Sequence, residues 1–333
     1  MPMVERNARE EAYAHDDSDV LVVLVDSRPA TGTVIAQRIQ RSISAREAPS
    51  HSLPPAAMTV TQRKYKIAVL LCDTPLPAIL ASEGDYGAVF AKLFRKSLQA
   101  VGDPKVEFDI DSYDVRNDKV YPENVDQYDA VLLTGSAASA YENLDWINRL
   151  VDYVRYLAKE KPQVRILGIC FGHQIVARAL GGECVPNGGR WEIGVTEIEL
   201  TDLGRKLFGV EKLNLEQAHR DHVPDVPPSF HLLGYTAISP NQGMVQLYPG
   251  ASPESISPAD VHIFTVQGHP EFYRGITEEI VKSRNATGIL DNETTADYYR
   301  RADWRNDGPG VVGKTLWEIV RAARDGSQKQ TAA

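Results

Sequence analysis

The chain has 333 residues, 43% of them hydrophobic, which is enough apolar material for one large domain or two small ones. A net charge of -9 argues against nucleic acid or an anionic membrane as the principal partner. Three cysteines in this length make no disulfide framework and point to a reducing compartment, read here as the cytoplasm, and no apolar run is long enough to span a bilayer.

Residues 1–19 are dense in both charge signs, with no apolar core and no cleavage pattern, so they do not read as a targeting signal. Val20 to Val25 has the makings of one strand, and the stretch after it is rich in Ser, Arg and Pro through Pro55. The domain pattern begins abruptly after Met58. Two expectations follow: residues 1–57 form a poorly ordered extension, or Met58 is the true start.

From Tyr65 onward strand and helix signals alternate. Lys66 to Cys72 is a buried strand, and Tyr86 to Ala100 is an amphipathic helix with Phe90, Leu93, Phe94 and Leu98 on one face. Strands follow at Val106 to Tyr113 and Tyr128 to Thr134, the latter ending on Gly135 and Ser136. Leu144 to Lys159 reads as a helix, and Val164 to Ile169 as the next strand. This order predicts a mostly parallel sheet covered by helices, with the site at the carboxyl ends of the strands. Shorter strands at Val195 to Leu200, Lys212 to Gln217, His231 to Ile238 and Gly243 to Tyr248 suggest an antiparallel meander. Helices return at Ile276 to Asn285, Glu293 to Asp303 and Val312 to Ala323, and a polar tail begins at Asp325. The expected division is therefore an extension over 1–57, a domain over 62–290, and C-terminal helices and tail over 291–333.

Cys170 occupies the turn from the Val164 strand into a helix that starts at Phe171 and stops at Gly181 and Gly182. At a helix start the backbone N–H groups lack partners and the dipole is positive, so a thiolate or an oxyanion is favoured there. Gly168 and Gly172 flank the cysteine and permit a tight turn with close approach of substrate. Far downstream, Val261 to Phe272 holds another apolar strand, which ends in Gly268-His269-Pro270-Glu271. A cysteine nucleophile needs a base, and the base needs a group that orients it. In extended chain His269 and Glu271 point to the same side. Cys72 and Cys184 lie in no such motif and read as structural.

Gly168-Ile-Cys-Phe-Gly-His-Gln174 together with Gly268-His-Pro-Glu271 resembles the class I glutamine amidotransferase domain, whose triad is Cys-His-Glu. Leu133-Thr-Gly-Ser-Ala-Ala-Ser139 lies where that family carries its Ser-Gly-Gly-Pro oxyanion loop, and Ala218-His-Arg-Asp-His-Val223 is similar to its Ser-His-x-Asp-x-Val segment. The resemblance covers roughly 65–290. Ser136, Ala137 and Ala218 depart from the family pattern, which bears on the oxyanion loop and not on the triad. It implies a flavodoxin-like three-layer α/β sandwich with a mostly parallel central sheet and a small antiparallel extension. It also implies Cys170 as nucleophile, His269 as base, Glu271 as its orienter, and no cofactor or metal.

The resemblance further implies oxyanion donors among the N–H groups of Gly135, Ser136 and Phe171, and a substrate-facing place for Gln174, His219 and Asp221. His219, Asp221 and His222 match no standard zinc spacing. His173 reads as a packed helix residue. Candidate pocket walls are Arg190-Trp191-Glu192-Ile193-Gly194 and Glu83-Gly84-Asp85-Tyr86. The first reading is a stand-alone enzyme that hydrolyses glutamine and supplies ammonia to a separate synthase. The second is a γ-glutamyl peptidase acting on glutathione-type conjugates, and the third a non-catalytic binding module.

Overall fold

The computed structural model describes residues 64–330, with side chains through Arg324. The expectations for residues 1–57, the Val20 strand among them, lie outside the described residues. In chain order the elements begin β1 (Tyr65–Leu71), α1 (Pro77–Glu83), α2 (Tyr86–Ala100), β2 (Phe108–Asp114) and β3 (Ala130–Leu133). They continue as α3 (Asp145–Glu160), β4 (Arg165–Ile169), α4 (Phe171–Ala179), β5 (Val185–Pro186), β6 (Glu192–Leu200) and α5 (Asp202–Phe208). Then come β7 (Lys212–His219), β8 (Asp221–His222), β9 (His231–Tyr235), β10 (Gly243–Leu247) and β11 (Val261–Val266). Three helices close the chain: α6 (Arg274–Ala286), α7 (Asn292–Arg301) and α8 (Lys314–Gln330).

Among the described residues nine strands form one sheet in the order β2-β1-β3-β4-β11-β10-β9-β6-β7. The first five run parallel and the rest antiparallel. Alternation along the parallel strands assigns the two faces. Ile67, Val69, Leu132, Leu167 and Phe264 pack with α2 and α8, while Ala68, Leu70, Val131, Ile166 and Ile263 pack with α3 and α4. That is the expected three-layer sandwich.

The antiparallel half is no simple meander. β7 pairs with one edge of β6, so β9 joins the other and lies between β6 and β10, while β8 turns away to pair with β5. Helices α1 and α5 are additions to the sequence reading. Each has only seven residues, too few for a periodic signal; α5 instead depends on the Thr201 side chain, which accepts from the Gly204 N–H at its start. Helix α8 runs on through Gln330, beyond the expected end at Ala323. No helix among the described residues is long and apolar enough to cross a membrane.

The C-terminal helices belong to the core. Trp317 of α8 is 1% exposed and meets Tyr65, Phe94 and Phe108 at ring-centroid distances of 5.1, 6.0 and 5.7 Å. Tyr298 of α7 covers Gly194 of β6, where a Cβ would stand 2.6 Å from the ring. Trp317→Ala therefore empties a site closed on every side, and we expect a loss of about 3–5 kcal/mol in urea unfolding. A loss below about 1 kcal/mol would show that α8 is peripheral.

Candidate active site

Cys170 follows β4 with φ 52° and ψ -102°, a left-handed conformation that is costly for a residue with a Cβ. Its neighbours hold it there. The Cys170 N–H donates to the Val266 carbonyl at 2.9 Å, and its own carbonyl accepts from the Gln174 N–H at 3.1 Å, which starts α4. A Cβ on Gly172 would stand 2.5 Å from the Leu133 carbonyl oxygen, so only glycine lets α4 begin this close to β3. The sulfur-bearing residue is 4% exposed and lies in the wall of a cavity of about 270 Å³.

β11 ends beside β4, and the chain after it is tied to β7 by the His269 N–H donating to the Glu216 carbonyl at 2.8 Å. His269 Nδ1–H donates to Glu271 Oε1 at 2.8 Å, and its ring lies flat on Phe272 with centroids 4.0 Å apart and planes 2° apart. Both side chains of this pair are at most 5% exposed. A Cβ built on Gly135 would stand 2.8 Å from His269 Cε1 and 3.7 Å from Cys170 Cβ. Imidazole, thiol-bearing carbon and loop glycine thus meet at one point. Burial pushes the His269 pKa down, but the charges of Cys170 and Glu271 overcome it and raise the pKa to about 10. The bound proton favours folding below the ordinary value of 6.5, and that contribution is lost as pH rises through about 10.

Gly135 and Ser136 follow β3 on the same edge of the sheet. Asp73, two residues past β1, clamps this loop: one carboxylate oxygen accepts from the Ala137 N–H at 2.7 Å and from Ser136 Oγ at 3.3 Å. The other oxygen pairs with Arg116. Among the described residues no acceptor meets the N–H groups of Gly135, Ser136 or Phe171, which leaves them available to a ligand.

Gln174, His219 and Asp221 lie together beneath the cavity and not in its wall. Gln174 Nε2 donates to the Asp221 carbonyl at 3.0 Å and to Gln267 Oε1 at 3.1 Å. Gln267 in turn points its Nε2 at the Cys170 sulfur, 3.7 Å away. His219 meets Glu192 Oε2 at 3.2 Å, and Asp221 Oδ2 accepts from Ser139 Oγ at 2.6 Å. This layer fixes the floor on which the sulfur rests. His173 is buried against Thr265 Oγ1 at 2.8 Å, and burial lowers its pKa to about 3.

The sequence reading did not find Asp73, Gln267 or Arg284. Asp73 could have been found as a carboxylate just past the end of an apolar strand, and Gln267 as a polar residue between Val266 and Gly268. Arg284 carries no local signal, since it comes to the cavity on α6 with Ile280 and Ser283. Of the candidate walls, Tyr86 lines the cavity, whereas Glu83 pairs with Lys92 and Tyr273. Trp191 stands behind Arg284, and Glu192 belongs to the buried layer.

The chain is similar to several known proteins. The family described as glutamine amidotransferase class-I matches residues 84–284. A putative glutamine amidotransferase-like protein of Schizosaccharomyces pombe is 32% identical over 244 residues, covering 72% of this chain and 92% of its own. Gamma-glutamyl peptidase 3 of Arabidopsis thaliana is 30% identical over 232 residues, covering 67% and 84%. The crystal structure of a glutamine amidotransferase from Thermotoga maritima shares the fold, with a TM-score of 0.56, 18% identity, and coverage of 78% of this chain and 99% of that one.

One buried carboxyl next to the site gives a pH-dependent signature. Glu216 is 1% exposed, and burial raises its pKa from 4.5 to about 7 against the smaller opposing pulls of Thr277, His269 and Arg301. The fold therefore holds its proton more tightly than the unfolded chain, and stability falls as pH rises from 4.5 through about 7. Glu216→Gln removes that cost, so its stability relative to the parent should improve by roughly 2 kcal/mol between pH 5 and pH 8. Urea unfolding at both pH values checks this, and a constant difference would contradict it.

Proposed function

This chain belongs to the class-I glutamine amidotransferase family, and from that premise we propose that it hydrolyses γ-glutamyl amides through a thioester on Cys170. Glutamine is the substrate of this reading, and the released ammonia goes to a separate acceptor synthase. The observation that supports it is the meeting of Cys170, His269 and Glu271 at Gly135, at the carboxyl edge of the parallel strands.

His269 takes the Cys170 thiol proton, and the sulfur attacks the γ-carboxamide carbon, forming a C–S bond while the carbonyl oxygen takes up negative charge. Phe171 and the Gly135–Ser136 loop supply N–H donors for that oxygen, each worth about 3 kcal/mol when well aligned. The C–N bond then breaks, and His269 delivers its proton to the departing nitrogen. Water, giving a proton back to His269, attacks the thioester; glutamate leaves and the thiol is restored. Glu271 keeps Nδ1–H engaged throughout, so that Nε2 faces the reaction. The buried layer of Gln174, His219 and Asp221 acts through Gln267 and holds the floor in place. A cytoplasmic setting, where thiols stay reduced, suits the free Cys72, Cys170 and Cys184.

A second reading, γ-glutamyl peptidase, uses the same triad and differs only in the amine that leaves. It is supported by the likeness to the Arabidopsis peptidase and by a cation in the cavity, Arg284, that has no ion-pair partner among the described residues. The hydrogen-bonded base and its orienter speak against a binding-only module.

Glutamate release from glutamine and from a glutathione conjugate, measured beside Cys170→Ala, tests the proposal. Cys170→Ala should abolish release, and Glu271→Gln should lower kcat by roughly 10²–10⁴-fold with KM little changed. A wild-type protein that releases glutamate from neither substrate would remove the reading.

A further inference from the structure

The cavity that holds Cys170 carries a guanidinium that the described chain does not neutralise. Arg284, in the last turn of α6, lines it beside Ser283, Thr287 and Ile289. Its charged group lies 5.0 Å from the centroid of the Trp191 ring, and its buried Nε meets no acceptor among the described residues. Arg220, between β7 and β8, lies over the same ring at 5.8 Å. Contact with an indole orders a guanidinium and contributes roughly 0.5–2 kcal/mol, but it does not balance the charge. Burial and, next, the neighbouring Arg220 work against the charged form of Arg284, while the smaller pulls of Cys170, Tyr86 and Asp73 favour it without forming an ion pair. Arg220 is exposed while Arg284 is partly buried, so an anion brought to this ring meets one solvated and one partly desolvated cation.

The carboxylate in the cavity wall is already engaged. Asp73 is held by Arg116, the Ala137 N–H and Ser136 Oγ. Glu271 faces His269. The anion that completes the site therefore has to come with the ligand. Glutamine carries one carboxylate, offset by its own ammonium, and its leaving group is neutral ammonia. A γ-glutamyl peptide brings a second carboxylate, on the side of the leaving amine, and so matches a site with two cations.

We propose that Arg284 and Arg220, ordered on Trp191 beside the Cys170 cavity, form a subsite for a carboxylate on the leaving group and so select γ-glutamyl peptides over glutamine. The subsite rests on the γ-glutamyl chemistry proposed above, and it decides between the two leaving groups. Arg284 is a specificity residue of the binding step, and Trp191 positions both guanidinium groups.

The test compares γ-glutamylglycine with γ-glutamylglycinamide, which differ only in the terminal charge. Calorimetry on the full chain carrying Cys170→Ala measures binding without turnover. A charge-assisted contact of ordinary strength predicts about tenfold tighter binding of the carboxylate ligand. Adding Arg284→Gln should shrink that ratio to below about threefold, with Arg284→Lys in between because it keeps the charge and loses the flat stacking face. Equal affinities in the Arg284-containing protein, no binding of either ligand, or a ratio indifferent to Arg284→Gln overturns the subsite. Glutamate release by the wild-type chain separates the two claims. A carboxylate preference without release leaves the subsite and removes the hydrolase; release with no preference does the reverse.

Discussion

The contact between the start of α4 and the end of β3 governs the geometry of the site. With no side chain at Gly172, the helix begins against the Leu133 carbonyl, and Cys170, just before the helix, has φ 52°. A strand that turned into its helix with room to spare would not hold a cysteine in that conformation. The strain, on the order of 1–3 kcal/mol, is carried by the hydrogen bonds of β4, β11 and α4 on either side of it. It leaves the proposed nucleophile at the sheet edge, where unpaired helix N–H groups also gather.

A polar layer lies under that edge. Buried charges are tolerable only when paired and hydrogen-bonded, and this layer largely follows the rule. His219 meets Glu192, Glu192 accepts from Thr236 and Gln242, and Asp221 accepts from Ser139. The network joins the parallel half of the sheet to the antiparallel half through Gln174 and Gln267. It holds Cys170 and His269, which come from strands remote in sequence, in one frame. Removing a single partner would strand a buried polar group, which gives this layer more leverage on the site than its distance from the ligand suggests.

The wall opposite the triad is built differently. It comes from α6 and the turn after it, and its charge is unmatched among the described residues. The parallel strands lead into Cys170 and His269, while in the proposal above a helix beyond β11 supplies the discrimination. Such a division lets one catalytic edge serve different leaving groups.

The parallel half and its edge were legible in the chain because their signals are local. β-branched runs, glycines on either side of Cys170 and a two-residue spacing from His269 to Glu271 each follow from backbone geometry over a few residues. Short helices such as α5, at seven residues, fall below the length at which periodicity speaks. The order of β9, β6 and β7 was not legible either, since edge pairing depends on which strand has already occupied a neighbour. Asp73 reaching the oxyanion loop and Gln267 reaching the sulfur are likewise set by the sheet and not by spacing. By itself the sequence determined an α/β sheet with Cys170, His269 and Glu271 just past strand ends, because strand-end turns and alternation are written residue by residue. Only the tertiary structure decided that Gln174, His219 and Asp221 sit below the cavity while Arg284 lines it, because burial and charge balance exist only once distant segments have packed.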